Sequence, residues 1–181
     1  MKGNRLILNS TQLQLTIKRL CYQLIENHNN FENSVLIGLQ PRGIYLAKRI
    51  HEELKIISGN KQIALGTIDV TFFRDDFRRR ESPLIANKTD INFIIEDKKV
   101  VLIDDVLFTG RTIRAGLDAM LAYGRPDLVE LLVLIDRRYS RHLPIEPKYV
   151  GTVVDSVQSE RIEARWDETD GKNEVILKAN Q

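Results

Sequence analysis

Residues 100–112, VVLIDDVLFTGRT, constrain this chain more than any other stretch. An apolar run ends in two adjacent carboxylates, Asp104 and Asp105, and a short loop then leads through Thr-Gly-Arg-Thr into a helical pattern. A continuous apolar run of this kind suits a strand buried on both faces, as in a parallel sheet. Such a strand delivers its acids to the carboxyl edge, where open α/β sheets bind ligands. Just beyond, Thr109, Gly110, Arg111 and Thr112 place hydroxyls, backbone N–H groups and one cation at a helix N-terminus. That combination favours a phosphate by dipole and by charge. Acids able to hold hydroxyls or a metal thus lie a few residues from a phosphate site, a pairing that fits a sugar phosphate.

Simpler readings of the same residues exist. An apolar run closed by Asp-Asp also occurs in the magnesium-holding strand of P-loop ATPases, but those need a G-x-x-x-x-G-K-[ST] loop. The only Gly-Lys pair here is Gly171-Lys172, followed by Asn173 in a polar tail. Asp-Asp alone is equally a solvated strand end, and Thr-Gly a plain turn. The agreement of strand, acid pair, anion loop and helix over thirteen residues favours the functional reading.

The rest of the chain alternates strand and helix. Arg5–Leu8 is a short apolar strand, and Asn9 or Ser10 caps a helix in which Leu13, Ile17, Leu20, Cys21, Leu24 and Ile25 recur at helical spacing. Residues 35–39 read as a buried strand, 43–54 as a helix and 63–73 as a half-buried strand. Residues 112–123 form a helix closed by Gly124 with Pro126 beyond it, and 128–135 are another apolar run. Strands alternating with helices imply an α/β fold with a mostly parallel, twisted sheet flanked by helices. Residues 74–98 break the rhythm. RDDFRRRESPLIANKTD holds four arginines, one lysine, four acids and a proline, and INFIIEDK after it could add a strand. A long irregular segment within a compact domain is a functional lid or a mobile insertion, and on composition alone a solvated charged hairpin is the better reading.

The chain of 181 residues is long enough for one domain with a substantial core, and a single domain over 1–181 is expected. Net charge is only +2, so bulk electrostatics do not argue for nucleic acid, and any such binding needs a local patch. The single cysteine, Cys21, sits among apolar residues and reads as buried rather than reactive. No apolar run approaches membrane-spanning length and no signal-peptide core opens the chain, so a cytoplasmic protein without a membrane partner is expected. His28 and His51 look isolated, with no ligand partner at useful spacing. Trp166, in an acidic tail, reads as an edge or interface residue.

VVLIDDVLFTGRT resembles the signature of type I phosphoribosyltransferases, which bind 5-phosphoribosyl-1-pyrophosphate (PRPP). LIGLQPRGIYLAKRI (36–50), GTIDVTFFRDD (66–76), GRTIRAGLDAMLAYGRP (110–126) and LPIEPKYVG (143–151) extend the resemblance to the PyrR family of pyrimidine-operon regulators that are also uracil phosphoribosyltransferases. Together these segments cover most of residues 5–165. The resemblance implies the type I fold, with a flexible lid loop or hairpin and a small C-terminal hood. It implies conversion of uracil and PRPP to UMP and pyrophosphate, Mg²⁺ as cofactor, and a homodimer or larger homo-oligomer. Carried over by position, Asp104 and Asp105 are catalytic, hold the ribose hydroxyls and help place Mg²⁺ through the substrate. Val106, Leu107, Phe108, Thr109, Gly110, Arg111 and Thr112 bind the ribose 5′-phosphate, with Arg111 turned either to that phosphate or to a partner subunit. Pro41, Arg42 and Gly43 form the pyrophosphate loop. Relatives typically carry Thr where this chain has Pro41, which removes one backbone donor and one hydroxyl. The resemblance reverses the preference for 74–98 in favour of a lid, from which Arg74, Arg78 and Arg79 could reach pyrophosphate.

Position 108 separates branches of the family. Purine-using relatives typically have an Asp near the purine N7; Phe108 can stack on a base, or merely pack against its loop, but cannot exchange a proton. A pyrimidine is therefore expected, with the base met near Arg137 and Ile162. The attenuation regulators bind an RNA hairpin, with Thr and His on the first helix where this chain has Lys18 and Tyr22. Their Asp-Arg-Gly-His-Arg-Glu segment is here Asp136-Arg137-Arg138-Tyr139-Ser140-Arg141-His142, one residue longer. That basic cluster could grip leader RNA, or be a solvated loop. Two further readings stay open: an RNA regulator whose sugar site only senses nucleotides, and transfer to a purine, which Phe108 disfavours.

Overall fold

The computed structural model describes residues 4–73, 88–157 and 159–179. Strand β1 (Arg5–Leu8) leads into helix α1 (Ser10–His28), followed by β2 (Ser34–Gln40), α2 (Gly43–Ser58) and β3 (Ala64–Asp69). After a 3₁₀ turn at Thr71–Phe73 come β4 (Lys99–Leu107), α3 (Arg111–Met120), a 3₁₀ turn at Leu121–Tyr123 and β5 (Leu128–Arg138). The chain closes through β6 (Tyr149–Asp155), β7 (Glu160–Arg165), the short α4 (Asp167–Asp170) and β8 (Glu174–Ala179). Asn9 is the cap of α1: its side chain accepts from the Gln12 amide at 2.8 Å while Gln12 accepts from the Asn9 amide at 3.0 Å, a reciprocal capping box.

The main sheet has five strands in the order β3-β2-β4-β5-β6, and every pairing in it is parallel. Its apolar strands are two-sided, and alternation assigns each residue to a face. Leu36, Val101, Ile103, Leu132 and Leu134 point into the core shared with α1 and α2. Their neighbours Val35, Ile37, Val100, Leu102, Leu131 and Val133 point to the core shared with Ile113, Ala115, Ala119 and Met120 of α3. A second sheet, antiparallel and three-stranded, joins the chain ends in the order β1-β8-β7. Its Ile162, Ala164, Val175 and Leu177 extend the α1/α2 core.

Strand order places the topological switch between β2 and β4, since α2 leads outward to β3 on one side and α3 leads to β5 on the other. The loops leaving β2 and β4 therefore open side by side at the carboxyl edge, where a crevice forms.

Several sequence expectations are corrected by tertiary packing. The helix expected over 112–123 starts at Arg111 and tightens to 3₁₀ after Met120. INFIIEDK forms no strand; only Asp90 makes an isolated antiparallel bridge, to Thr67, and Ile95 drops into the α3 core. Trp166 is not an edge residue but 0% exposed, packed at 6.5 Å from Tyr45 and under Arg49. Cys21 is buried as read: its thiol lies 3.6 Å from the Ile50 carbonyl, and burial pushes its pKa up to about 12. Among the described residues no helix is long and apolar enough to cross a membrane.

His28 is also not isolated. At the opposite end of the sheet it ties α1 to β2, β5 and β6: Nδ1 lies 2.8 Å from Ser34 Oγ, and Nε2 lies 3.0 Å from Glu130 Oε2 and 3.1 Å from Tyr149 Oη. Tyr149 donates to Glu130 at 2.7 Å, and Lys148 pairs with the same carboxylate. Burial lowers the His28 pKa below its ordinary 6.5, against the opposing pull of Glu130. A folded pKa below the unfolded one means that the unfolded chain takes up the proton first. The contribution of His28 is thus complete above its unfolded pKa and is lost as pH falls through 6.5 toward the folded value. Thermal unfolding from about pH 7.5 to about pH 5.5 should show the gap between wild type and His28→Gln narrowing; a gap constant with pH would contradict a neutral buried imidazole.

Candidate functional site

Asp104 and Asp105 are buried near the end of β4 at 7% and 8% exposure, beside β2. Each carboxylate turns back on its own chain: Asp104 Oδ1 accepts from the Asp105 amide at 2.9 Å, and Asp105 Oδ1 accepts from the Val106 amide at 2.8 Å. Burial raises the Asp105 pKa, opposed first by the Arg42 guanidinium and then by the Val106 amide. Arg42 Nε lies 3.6 Å from Asp105 Oδ2. The second loop, Gln40-Pro41-Arg42-Gly43, thus brings a cation to the acid pair.

Both loops end at the N-terminus of a helix with no side-chain cap: Arg42 opens α2 and Gly110 opens α3. The positive ends of two helix dipoles converge on the crevice, each suited to an anion. Gly110 adopts φ +90° with the Ile145 and Leu143 side chains beside it, a conformation that favours glycine. Gly43 is needed for a different reason. A Cβ there would sit 2.7 Å from the Ile103 carbonyl oxygen and 2.9 Å from Asp104 Cα, so the helix start touches the strand carrying the acids. The Gln40-Pro41 bond is cis.

The segment after β5 closes over the loop after β4. The His142 and Leu143 amides donate to the Thr109 carbonyl at 3.0 and 3.2 Å, and Arg141 donates to the Phe108 carbonyl at 2.7 Å. These bonds engage carbonyls that would otherwise repel an anion. Thr109 Oγ1 accepts weakly from the Arg111 amide at 3.4 Å. The Phe108 ring is half-buried, with the Arg137 guanidinium 4.0 Å above its centroid. Arg137 is itself buried, donating to Ser156 Oγ and to the carbonyls of Val157 and Glu160, and burial lowers its pKa.

Ile162 lies in β7 with its side chain in the core, opposite Leu177 of β8. Two arginines hold the outer edge of that strand: Arg137 bonds the Glu160 carbonyl and Arg42 bonds the Ala164 carbonyl. Strand alternation puts the amide and carbonyl of Ile162 on the same edge, between the two arginines.

The structure thus brings together residues 41–43, 104–112, Arg137 and the backbone of Ile162. Arg74, Arg78 and Arg79 lie outside the described residues. The basic cluster at the end of β5 is divided: Arg137 is buried and Arg141 pairs with Asp136, whereas Arg138 is exposed and pairs with Asp155 at 2.7 Å on the surface. Sequence reading missed Asp69, 8% exposed at the end of β3 beside Gln40, whose carboxylate accepts from the Thr71 hydroxyl at 2.7 Å. Its place in the alternating GTID was the available signal. It also missed Asp170, which binds Arg42 across 128 positions of sequence, a separation that no local pattern reports.

A cavity of about 480 Å³ runs between α1 and α2, lined by Leu13, Ile17, Lys48, Arg49, Glu53 and Ile56. It lies along the helices rather than at the sheet edge and mixes charges of both signs without a convergent donor set.

Residues 5–169 match the phosphoribosyl transferase domain family. The chain belongs to that family, and its fold and the crevice at its switch point are those of a pentosyl-transferring enzyme. Among curated relatives it is similar to the bifunctional protein PyrR of Caldicellulosiruptor bescii, 43% identical over 94% of this chain and 93% of that one. The bifunctional protein PyrR of Bacillus subtilis is 39% identical over 100% of both. Two solved structures show the same fold at low identity. A hypoxanthine phosphoribosyltransferase of Staphylococcus aureus has TM-score 0.71 at 18% identity, covering 97% of this chain and 92% of that one. That of Trypanosoma cruzi has TM-score 0.74 at 14% identity, covering 99% and 98%.

Because the β4 backbone at Ile103 and Asp104 blocks a methyl at position 43, Gly43→Ala should lower stability by roughly 1–3 kcal/mol in urea unfolding. An unchanged midpoint would mean that the helix start does not press on β4 as the distances indicate.

Proposed function

We propose that this chain transfers the phosphoribosyl group of PRPP to uracil, giving UMP and pyrophosphate. The observation that carries the reading is the buried Asp104–Asp105 pair set between two uncapped helix N-termini at the switch point. One N-terminus, at 109–112, takes the 5′-phosphate; the other, at 41–43, takes the pyrophosphate; the acids between them take the ribose hydroxyls. The donor is then held at three points along its length, so its C1 is fixed relative to the base.

Transfer breaks the C1–pyrophosphate bond and forms a bond from C1 to a base nitrogen, through an oxocarbenium-like ring as in glycoside cleavage. Asp104 and Asp105 favour the developing positive charge while Arg42 and the α2 N-terminus favour the negative charge on the leaving group. A lid within 74–98, whose later residues are tied down by the Asp90–Thr67 bridge and buried Ile95, would exclude water, with Arg74, Arg78 and Arg79 reaching pyrophosphate.

Mg²⁺ fits the donor set. Asp104 and Asp105 offer hard carboxylate oxygens, and no cluster of three or more His, Cys, Asp or Glu that could hold a metal exists among the described residues. The protein would therefore hold the ion by these two acids, with substrate oxygens completing its shell. When bound, the ion neutralises charge on pyrophosphate.

Phe108 supports a pyrimidine. With Arg137 at 4.0 Å from the ring, one face of Phe108 is occupied by protein, and no group at this position can exchange a proton with a purine N7. The base would lie against the outer edge of β7 and be read by the Ile162 backbone.

A second role in leader-RNA binding rests on near full-length similarity to proteins named bifunctional PyrR. With Arg137 buried and Arg141 turned back on Asp136, the exposed residues able to face RNA among the described ones include Lys18 and Tyr22 on α1, together with Arg138, Tyr139 and His142.

An assay of uracil, hypoxanthine, guanine and xanthine with Mg²⁺ and PRPP should give turnover with uracil alone or far above the others. Faster turnover of any purine would overturn the base assignment. Asp104→Asn and Asp105→Asn should each cost roughly 10²–10³ in kcat/KM, and wild-type turnover in the double variant would remove both from their roles. Leader-RNA binding should be specific, modulated by UMP or UTP and steeply salt-dependent; equal binding to any RNA would argue against regulation.

A further inference from the structure

The acidic turn before β8 is held against α2 by two arginines seven residues apart, on one side of that helix. Arg49 takes the outer grip: it donates to both oxygens of Glu168 at 2.6 and 3.1 Å and to Asn173 Oδ1 at 2.6 Å, with its guanidinium 4.9 Å from the Trp166 ring centroid. Arg42 takes the inner grip, donating through Nη2 to Asp170 Oδ2 at 2.9 Å and to the Ala164 carbonyl. Only the inner grip reaches the candidate site.

Two features of the inner grip separate it from a simple surface ion pair. First, Asp170 is rigidly placed: the same Oδ2 accepts from the Trp166 amide at 3.0 Å and from the Thr169 hydroxyl at 2.8 Å. The Trp166 amide, then the Thr169 hydroxyl and Arg42, hold its pKa down to about 2. Secondly, Arg42 stops short of Asp105. Its Nε is buried and has no hydrogen-bond partner, and the approach to Asp105 Oδ2 is 3.6 Å, an ion pair without a hydrogen bond. A guanidinium with nothing else to hold it would close onto a buried carboxylate at about 2.8 Å and satisfy both.

We propose that Asp170 is a positioning residue for the phosphoribosyl donor: it holds Arg42 back from Asp105, keeping that carboxylate available to ribose hydroxyls and the guanidinium available to pyrophosphate. Nη1 of Arg42 has no hydrogen-bond partner among the described residues, so the anchored guanidinium presents an unused edge. A long arginine fixed before binding also loses less rotamer entropy on meeting its anion. The inference rests on the reading that 41–43 and 104–112 hold opposite ends of the donor.

The test compares Asp170→Asn, Asp170→Glu and Glu168→Gln in the full chain. Asp170→Asn should raise KM for PRPP about tenfold, with kcat and KM for the base changed far less, and Asp170→Glu should restore much of the loss. Calorimetric titration with inorganic pyrophosphate and Mg²⁺, which needs no turnover, should show a matching loss of affinity in Asp170→Asn. Glu168→Gln breaks the outer grip and should lower the thermal midpoint while leaving KM for PRPP at the wild-type value. Wild-type KM and pyrophosphate affinity in Asp170→Asn would overturn the inference. So would an equal rise in Glu168→Gln, which would reduce Asp170 to a structural fastener. Wild-type protein that binds pyrophosphate in an Asp170-dependent way but turns over no base would overturn the proposed reaction and leave the inference standing. Absence of binding by the wild type would overturn both.

Discussion

A carboxylate buried at the edge of a parallel sheet needs nearby positive charge, because burial costs a single ion several kcal/mol. Asp105 meets this constraint through Arg42 at 3.6 Å and the Val106 amide at 2.8 Å. The sheet itself creates the problem. With α1 and α2 on one face and α3 on the other, its strands are apolar on both sides, and the carboxyl edge is where polar groups can gather. The acids, the two helix N-termini and the arginines all lie there for that reason.

The arginines around the crevice act as struts more than as free charges. Arg137 reaches from the end of β5 to the start of β7 while lying on Phe108, and Arg42 reaches from the start of α2 to the end of β7. Between them they fix the outer edge of β7 against the crevice. The small antiparallel sheet is thereby held in place by charged and polar contacts as well as by the core beneath it. The acidic character of the 167–170 turn has the same origin, since it supplies counter-charge to two arginines of the α2 region.

The far end of the sheet carries a different polar cluster. There His28, Ser34, Glu130 and Tyr149 satisfy one another where α1 meets the beginnings of β2, β5 and β6. Buried polar groups are tolerated when each has a partner, and this set fixes how the helix docks on the strands. One end of the sheet thus carries a self-satisfied polar cluster, and the other the acid pair and two helix N-termini.

Local sequence determined much of this architecture. Apolar runs at 35–39, 100–103 and 128–135 specified buried strands, the Asn9 cap and the spacing of Leu13, Ile17 and Leu20 specified α1, and the acid pair with Thr-Gly-Arg-Thr marked the crevice. Each of those signals is carried by residues close together in the chain, where strand alternation, helical period and cap chemistry operate. Tertiary structure alone decided that Trp166 is core, that His28 has partners 102 and 121 positions away, and that Asp170 pairs with Arg42 from 128 positions away. It also decided that Arg137 is buried and that Arg141 is turned back on Asp136, while Arg138 stays at the surface in a pair with Asp155. Such contacts form only after strands from distant segments have been laid side by side, so no neighbour in the sequence records them.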